Sequence, residues 1–170
     1  LLGLATAAIT TAGILSLQSL HDATTELAVA ADKSVLSARM RQNIIALNRG
    51  EFRITVDPSG DNLTEAVAFI EKQRSELEDR LKSAEAQADA NQKAVLENVR
   101  AAYAEYEQSL QQTIDLARSS GSGITIGDAQ RILLNQTMAS RKKAEAVEKA
   151  LIDNTKVVSD HADSVVADAG

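Results

Sequence analysis

Two arginines, Arg49 and Arg53, stand four residues apart near the end of a long helical pattern. At that spacing both guanidinium groups project from one face of a helix. Like charges so placed weaken a helix slightly. A carboxylate bridging them would engage the forked donors that suit arginine to bidentate contacts. The plainer alternative is a pair of solvated surface arginines with Glu51 between them diluting the charge. The run that carries them, Arg41 to Asp57, stops at Asp57-Pro58-Ser59-Gly60. Pro58 disfavours helix at Asp57, and the Pro-Ser-Gly cluster supplies a turn.

The elements that must position this pair are helices. One Pro among 170 residues and a supply of Ala, Leu, Glu, Gln, Lys and Arg favour long helices and room for one core. Aromatic residues at 2% leave no stacking platform for single-stranded nucleic acid, and a net charge of −6 argues against a phosphate-backbone partner. Without cysteine there is no disulfide framework, thiolate metal site or cysteine nucleophile. There is also no Gly-rich phosphate loop, no His-x-x-x-His and no Ser/His/Asp arrangement, so neither catalysis nor a cofactor is expected.

Residues 1–20 carry no charge, and the helical pattern runs on from them without a break. Roughly 20 mainly apolar residues suffice to cross a bilayer. Residues 1–17 therefore read as the outer part of a first transmembrane helix, and 18–170 as an extracytoplasmic domain. A buried hydrophobic helix is the alternative. The first helix carries two apolar stripes, one of Leu20, Leu27, Ala31, Ala38, Ile45 and Phe52, the other of Val29, Leu36, Met40, Leu47 and Ile54. A helix apolar on two faces packs against two things, and a second copy of the chain is the natural second partner. Met40 and Leu47 are the positions whose replacement by Glu is expected to break that association.

Asn62-x-x-Glu65, Asp89-x-x-Gln92 and Thr125-x-x-Asp128 read as the starts of three further helices, with Ser119 to Gly123 as a flexible linker. The apolar stripes are Leu63, Val67, Ile70, Leu77 and Leu81, then Val95, Val99, Ala102, Tyr106, Leu110, Thr113 and Leu116. In the last helix, one inward row runs Ile126, Leu133, Ser140, Val147, Asn154, His161 and the other Gln130, Thr137, Ala144, Leu151, Val158, Val165. Gln130, Thr137 and Ser140 need partners there unless that end opens to water. Short connections make consecutive helices antiparallel neighbours. The expected fold class is all-α, an up-down-up-down four-helix bundle with long first and last helices. This topology gathers Arg49 and Arg53 with Gln130, Asn135, Gln136 and Thr137 at the distal end. His21 and His161 each lie 35 residues from that end (21 to 56, 126 to 161), so the two imidazoles are expected level with one another. A zinc or copper site there would need Asp22, Asp160 or Asp163 as well, and solvated histidines are the expected outcome.

Taken with this architecture, Leu47-Asn48-Arg49-Gly50-Glu51-Phe52-Arg53 resembles the periplasmic four-helix-bundle sensor domain of methyl-accepting chemotaxis receptors. In the aspartate and serine receptors of that family, arginines of a matching run hold a ligand carboxylate across a dimer interface. The resemblance implies that Asn48, Arg49 and Arg53 bind ligand. The third arginine of those receptors falls at Ile44, with Arg41 one turn away to substitute in part, and Gln136 and Thr137 are the nearest match to a Gln and Thr of their fourth helix. It further implies an organic-acid or amino-acid ligand, a homodimer through the first helix, flanking transmembrane helices in a bacterial inner membrane, and a signal relayed through the last helix. The input domain of a sensor histidine kinase and a non-binding structural bundle are the alternatives.

Overall fold

The computed structural model describes the backbone of residues 2–120 and 126–169 and the side chains of 17–120 and 127–168. Four helices follow in order: α1 (Leu2–Val56), α2 (Gly60–Ala86), α3 (Ala90–Ser119) and α4 (Ile126–Ala169). The architecture is the expected all-α bundle. At 1.5 Å per residue α1 spans about 80 Å and α4 about 65 Å, against about 40–45 Å for α2 and α3. Both long helices run on together past the α2–α3 turn, where His161 comes within 3.9 Å of Glu26.

The α1–α2 corner is built as its composition requires. Asp57 Oδ1 accepts from the Ser59 amide (3.2 Å) and hydroxyl (2.7 Å), and Gly60 adopts a φ of +53°, the left-handed region that favours glycine. Asn62 and Glu65 do not form the expected capping box. Ser59 is the residue before the first turn, and the Asn62 amide instead donates to Asp57 O (2.6 Å) while its oxygen accepts from Arg53 Nε (2.6 Å). At the start of α3 the box is complete: the Gln92 amide donates to Asp89 Oδ1 (2.9 Å), and the Gln92 side chain returns to the Asp89 amide. Thr125 lies outside the described residues, as does most of the Gly-Ser linker.

The core sets the register. On α1 the inward row is Ser37, Met40, Ile44, Leu47, Glu51 and Ile54, and on α4 it is Leu133, Thr137, Ser140, Ala144, Val147, Leu151, Asn154 and Val158. Both rows alternate steps of three and four, the spacing of a helix that keeps one seam toward its neighbour. Asn154 Nδ2 donates to Ser37 Oγ (2.8 Å), and Ser140 Oγ donates to Glu51 Oε2 (3.0 Å). The pairs are 14 residues apart on each helix (37 to 51, 140 to 154), so α1 and α4 run antiparallel in one fixed register. The expected α2 and α3 stripes face the same core, with Leu96, Tyr103, Ile114 and Ala117 added. Each fully buried Leu or Ile contributes about 1.5–3 kcal/mol.

The two stripes of α1 take opposite roles from those expected. Met40 and Leu47 are fully buried within the protomer, so they are not the face left for a second copy. The outward stripe is the other one, with Leu20, Leu27, Ile45 and Phe52 exposed and joined by Val35 and Val56. The helices do not pack uniformly. α1 lies close to α2 and α4, and α3 to α4, whereas α2 and α3 approach one another no more closely than α1 and α3 do across the diagonal. Across that looser seam Arg100 reaches Glu85 (2.7 and 3.0 Å) and Glu78 (3.2 Å). Among the described residues no helix is long and apolar enough to cross a membrane. The side chains of residues 1–16, on which the expected first span rests, lie outside the described set.

Candidate functional site

Arg49 stands on the outward face of α1 because residues 47, 51 and 54 turn inward. It is exposed between Ile45 and Phe52 and makes no hydrogen bond or ion pair among the described residues. Arg53 shares the face, yet its guanidinium is already engaged. Besides the Asn62 contact, Nη2 meets Glu65 Oε2 at 2.5 Å, the two side chains being 46% and 66% exposed. A pair that exposed contributes at most about 1 kcal/mol. A carboxylate approaching Arg49 has to compete with Glu65 for Arg53.

The other nominated residues do not join them within the protomer. Thr137 is fully buried, 2.7 Å from Thr55 Oγ1. Thr55 gives its own proton to the Glu51 carbonyl (3.1 Å), so Thr137 is the donor between the two hydroxyls. Gln136 turns toward α3, where its Nε2 donates to the Ser109 carbonyl (3.1 Å) and Gln112 Oε1 (3.2 Å). Gln130 Nε2 caps the Val56 carbonyl (2.7 Å), and Asn135 is exposed. Asn48 is half-buried, with an unpaired Nδ2, and Arg41 is half-buried, with an unpaired Nε. Ile44 is in the core, so the position aligned with a third arginine does not face outward at all.

Directly behind Arg49 and Arg53 the same helix presents Glu51 to the interior. Glu51 is 0% exposed, and the expectation that it dilutes surface charge is overturned. Residues two apart lie about 200° round a helix, so the acid and its flanking arginines face opposite ways. Thr113 of α3 donates to Glu51 Oε1 (2.6 Å), and Ser140 of α4 to Oε2 (3.0 Å). The buried Tyr106 hydroxyl lies beside Glu51 and Asn48, close enough to act on both but outside good hydrogen-bond geometry. Burial pushes the Glu51 carboxyl up to about 7, against the smaller opposing pull of the Thr113, Ser140 and Tyr106 hydroxyls. Ser140 thus finds its partner in Glu51, Thr137 in Thr55 and Gln130 in the Val56 carbonyl. The sequence held a signal for this: rows of 37, 44, 51 and 40, 47, 54 place an acid in the seam opposite Thr137 and Ser140.

At the α2–α3 end, a cavity of about 110 Å³ lies between α1, α3 and α4, lined by Val29, Ala30, Lys33, Gln92, Val158 and His161 among others. Lys33 Nζ donates to Gln92 Oε1 there (2.6 Å). The register that pairs Ser37 with Asn154 and Glu51 with Ser140 sets His161 level with Ala30, nine residues or about 13.5 Å along α1 from His21, so the histidines are not the expected pair. Among the described residues no three His, Cys, Asp or Glu side chains gather as metal ligands. Among family models, curated proteins and solved structures, none matches this chain.

Proposed function

We propose that the chain is the extracytoplasmic ligand-sensing module of a transmembrane chemoreceptor, working as a homodimer through the outward face of α1. One observation carries the reading: this face is left uncovered, apolar through Val35, Ile45, Phe52 and Val56, and holds an unpaired arginine at its middle. A lone cation in an apolar strip becomes costly once a partner covers it, unless an anion arrives with the partner. Arg49 from one copy, with Arg53 beside it, would then hold a carboxylate at the seam between two copies. The long α1 and α4, side by side beyond the α2–α3 turn, form the route by which a change at that seam leaves the bundle.

Sedimentation tests the interface. Ile45→Glu and Phe52→Glu should abolish a concentration-dependent dimer, whereas Arg49→Ala should not. A thermal-shift screen of amino acids and short organic acids identifies the ligand, since binding the folded state alone raises Tm. Arg49→Ala should then weaken its affinity by about 2–5 kcal/mol, as expected when one member of a desolvated charge pair is removed. Unchanged affinity in that variant would take the arginine out of the site.

A further inference from the structure

Glu51 is the one charged residue among the described set that is fully buried, and no cation pairs with it. Its partners are hydroxyls contributed by two other helices, Thr113 from α3 and Ser140 from α4. A guanidinium serves only the anionic form of an acid. A hydroxyl can donate to a carboxylate or turn and accept from a carboxyl O–H, so it serves both forms. A third hydroxyl, that of Tyr106, lies alongside, near enough to favour the anion yet short of hydrogen-bond geometry. We propose that Glu51 is a proton-binding site through which the distal half of the bundle responds to the pH of its surroundings. With the proton lost to solvent, the carboxylate draws the Thr113 and Ser140 hydroxyls onto its two oxygens. With the proton taken up, one oxygen becomes a donor and bonds to a hydroxyl oxygen, Tyr106 offering the free one.

The groups around the acid favour this exchange near neutrality. From α3 the one titratable neighbour is Tyr106, whose own ionisation burial drives far above the usual range. From α4 it meets Ser140 and, through Thr55, Thr137; from α2 it meets no charge directly, Arg74 acting on Tyr106 instead. On α1 itself Arg49 and Arg53 face away. Burial holds the carboxyl at about 7. Loss of the proton therefore puts an uncompensated charge where α1, α3 and α4 meet, and loosens their packing.

Proton uptake by the bundle stands independently of the receptor reading; its use as a sensory input rests on that reading. The test uses the full chain without ligand. The carboxyl carbon resonance of Glu51 in glutamate-labelled protein should titrate with a midpoint near pH 7. Ser140→Ala, which removes a donor to the anion, should move that midpoint upward. Between pH 5 and pH 8 the wild-type Tm should fall by roughly 5–10 °C more than that of Glu51→Gln. A carboxyl midpoint below pH 5, or parallel Tm curves for wild type and Glu51→Gln, overturns the proposal. The resonance needs no variant, so it decides the matter even if Glu51→Gln does not fold. Neither measurement involves Arg49, the dimer or a carboxylate ligand, so this site and the receptor reading fail separately.

Discussion

Buried polar contacts interrupt the seam between α1 and α4 at several levels, and two of them are chemically unlike. Toward the α2–α3 turn, Ser37 and Asn154 share one neutral hydrogen bond, with Asn154 Oδ1 left buried and unpaired. Two heptads away, Glu51 brings an ionisable group to the same seam and recruits α3 as well through Thr113. A neutral buried pair costs its desolvation once, at every pH, and fixes register because a slipped helix would strand both partners. A buried acid fixes register too, but its cost depends on whether it holds its proton. One layer is a constant and the other a variable, and the difference lies in a single residue type.

The largest expected effect follows from the sign of that variable. The folded carboxyl lies at about 7, above its ordinary 4.5, so the folded state holds the proton more tightly than the unfolded chain does. Stability from this group is fully present below about pH 4.5 and is lost as pH rises through about 7. Glu51→Gln removes the dependence. It should stabilise the bundle by about 3 kcal/mol at pH 8 and by almost nothing at pH 4, read from urea unfolding at both. Asn154→Ala should cost about 2 kcal/mol at both pH values, since it strands the Ser37 hydroxyl and opens a small cavity. A pH-dependent loss there would erase the distinction between the layers.

Gly50→Ala sharpens the comparison more gently. A methyl group at Gly50 would come within 2.7 Å of Ile70 Cγ1, so the Ile70 side chain or α2 with it must shift where it rests on Gly50. Overpacking outweighs the gain in helix propensity, and a net loss of about 1 kcal/mol is expected from thermal unfolding. Should α2 yield freely, the substitution would stabilise instead. Smallest of all is Arg53→Ala on the opposite face of α1. Removing a bridge this exposed should change unfolding by no more than about 0.5 kcal/mol, less again in high salt. A loss of several kcal/mol would mean that the outer face is structural.

The helices, their antiparallel order and the seam of α4 could be read from the sequence because three-and-four spacing is written into apolar residues that only a core rewards. Thr137 and Ser140 were legible as inward positions in need of partners. Glu51 is obscured, although its row places it in the seam, because arginines stand two residues to either side and that proximity suggests shared exposure. Two residues along a helix is instead a change of side. Asn62 and Glu65 had the letters of a capping box, but Arg53, nine and twelve residues upstream, is a stronger donor than a backbone amide and took both. Met40 and Leu47 were visible as an apolar stripe. Which of two stripes faces inward depends on where the three other helices pack around α1, which no local pattern on α1 records.

The loose seam between α2 and α3 sets the order in which the bundle comes apart. α1, α4 and α3 form a continuous packed trio, whereas α2 buries Ile70, Leu77 and Leu81 against the core from the α1 side and meets α3 largely through Arg100, Arg74 and their carboxylate and amide partners. Screening by salt weakens contacts of that kind and leaves apolar burial untouched. α2 can therefore lift away as a unit while the trio stays folded, an excursion that costs less than global unfolding. The amides of α2 are the ones that should exchange with solvent first.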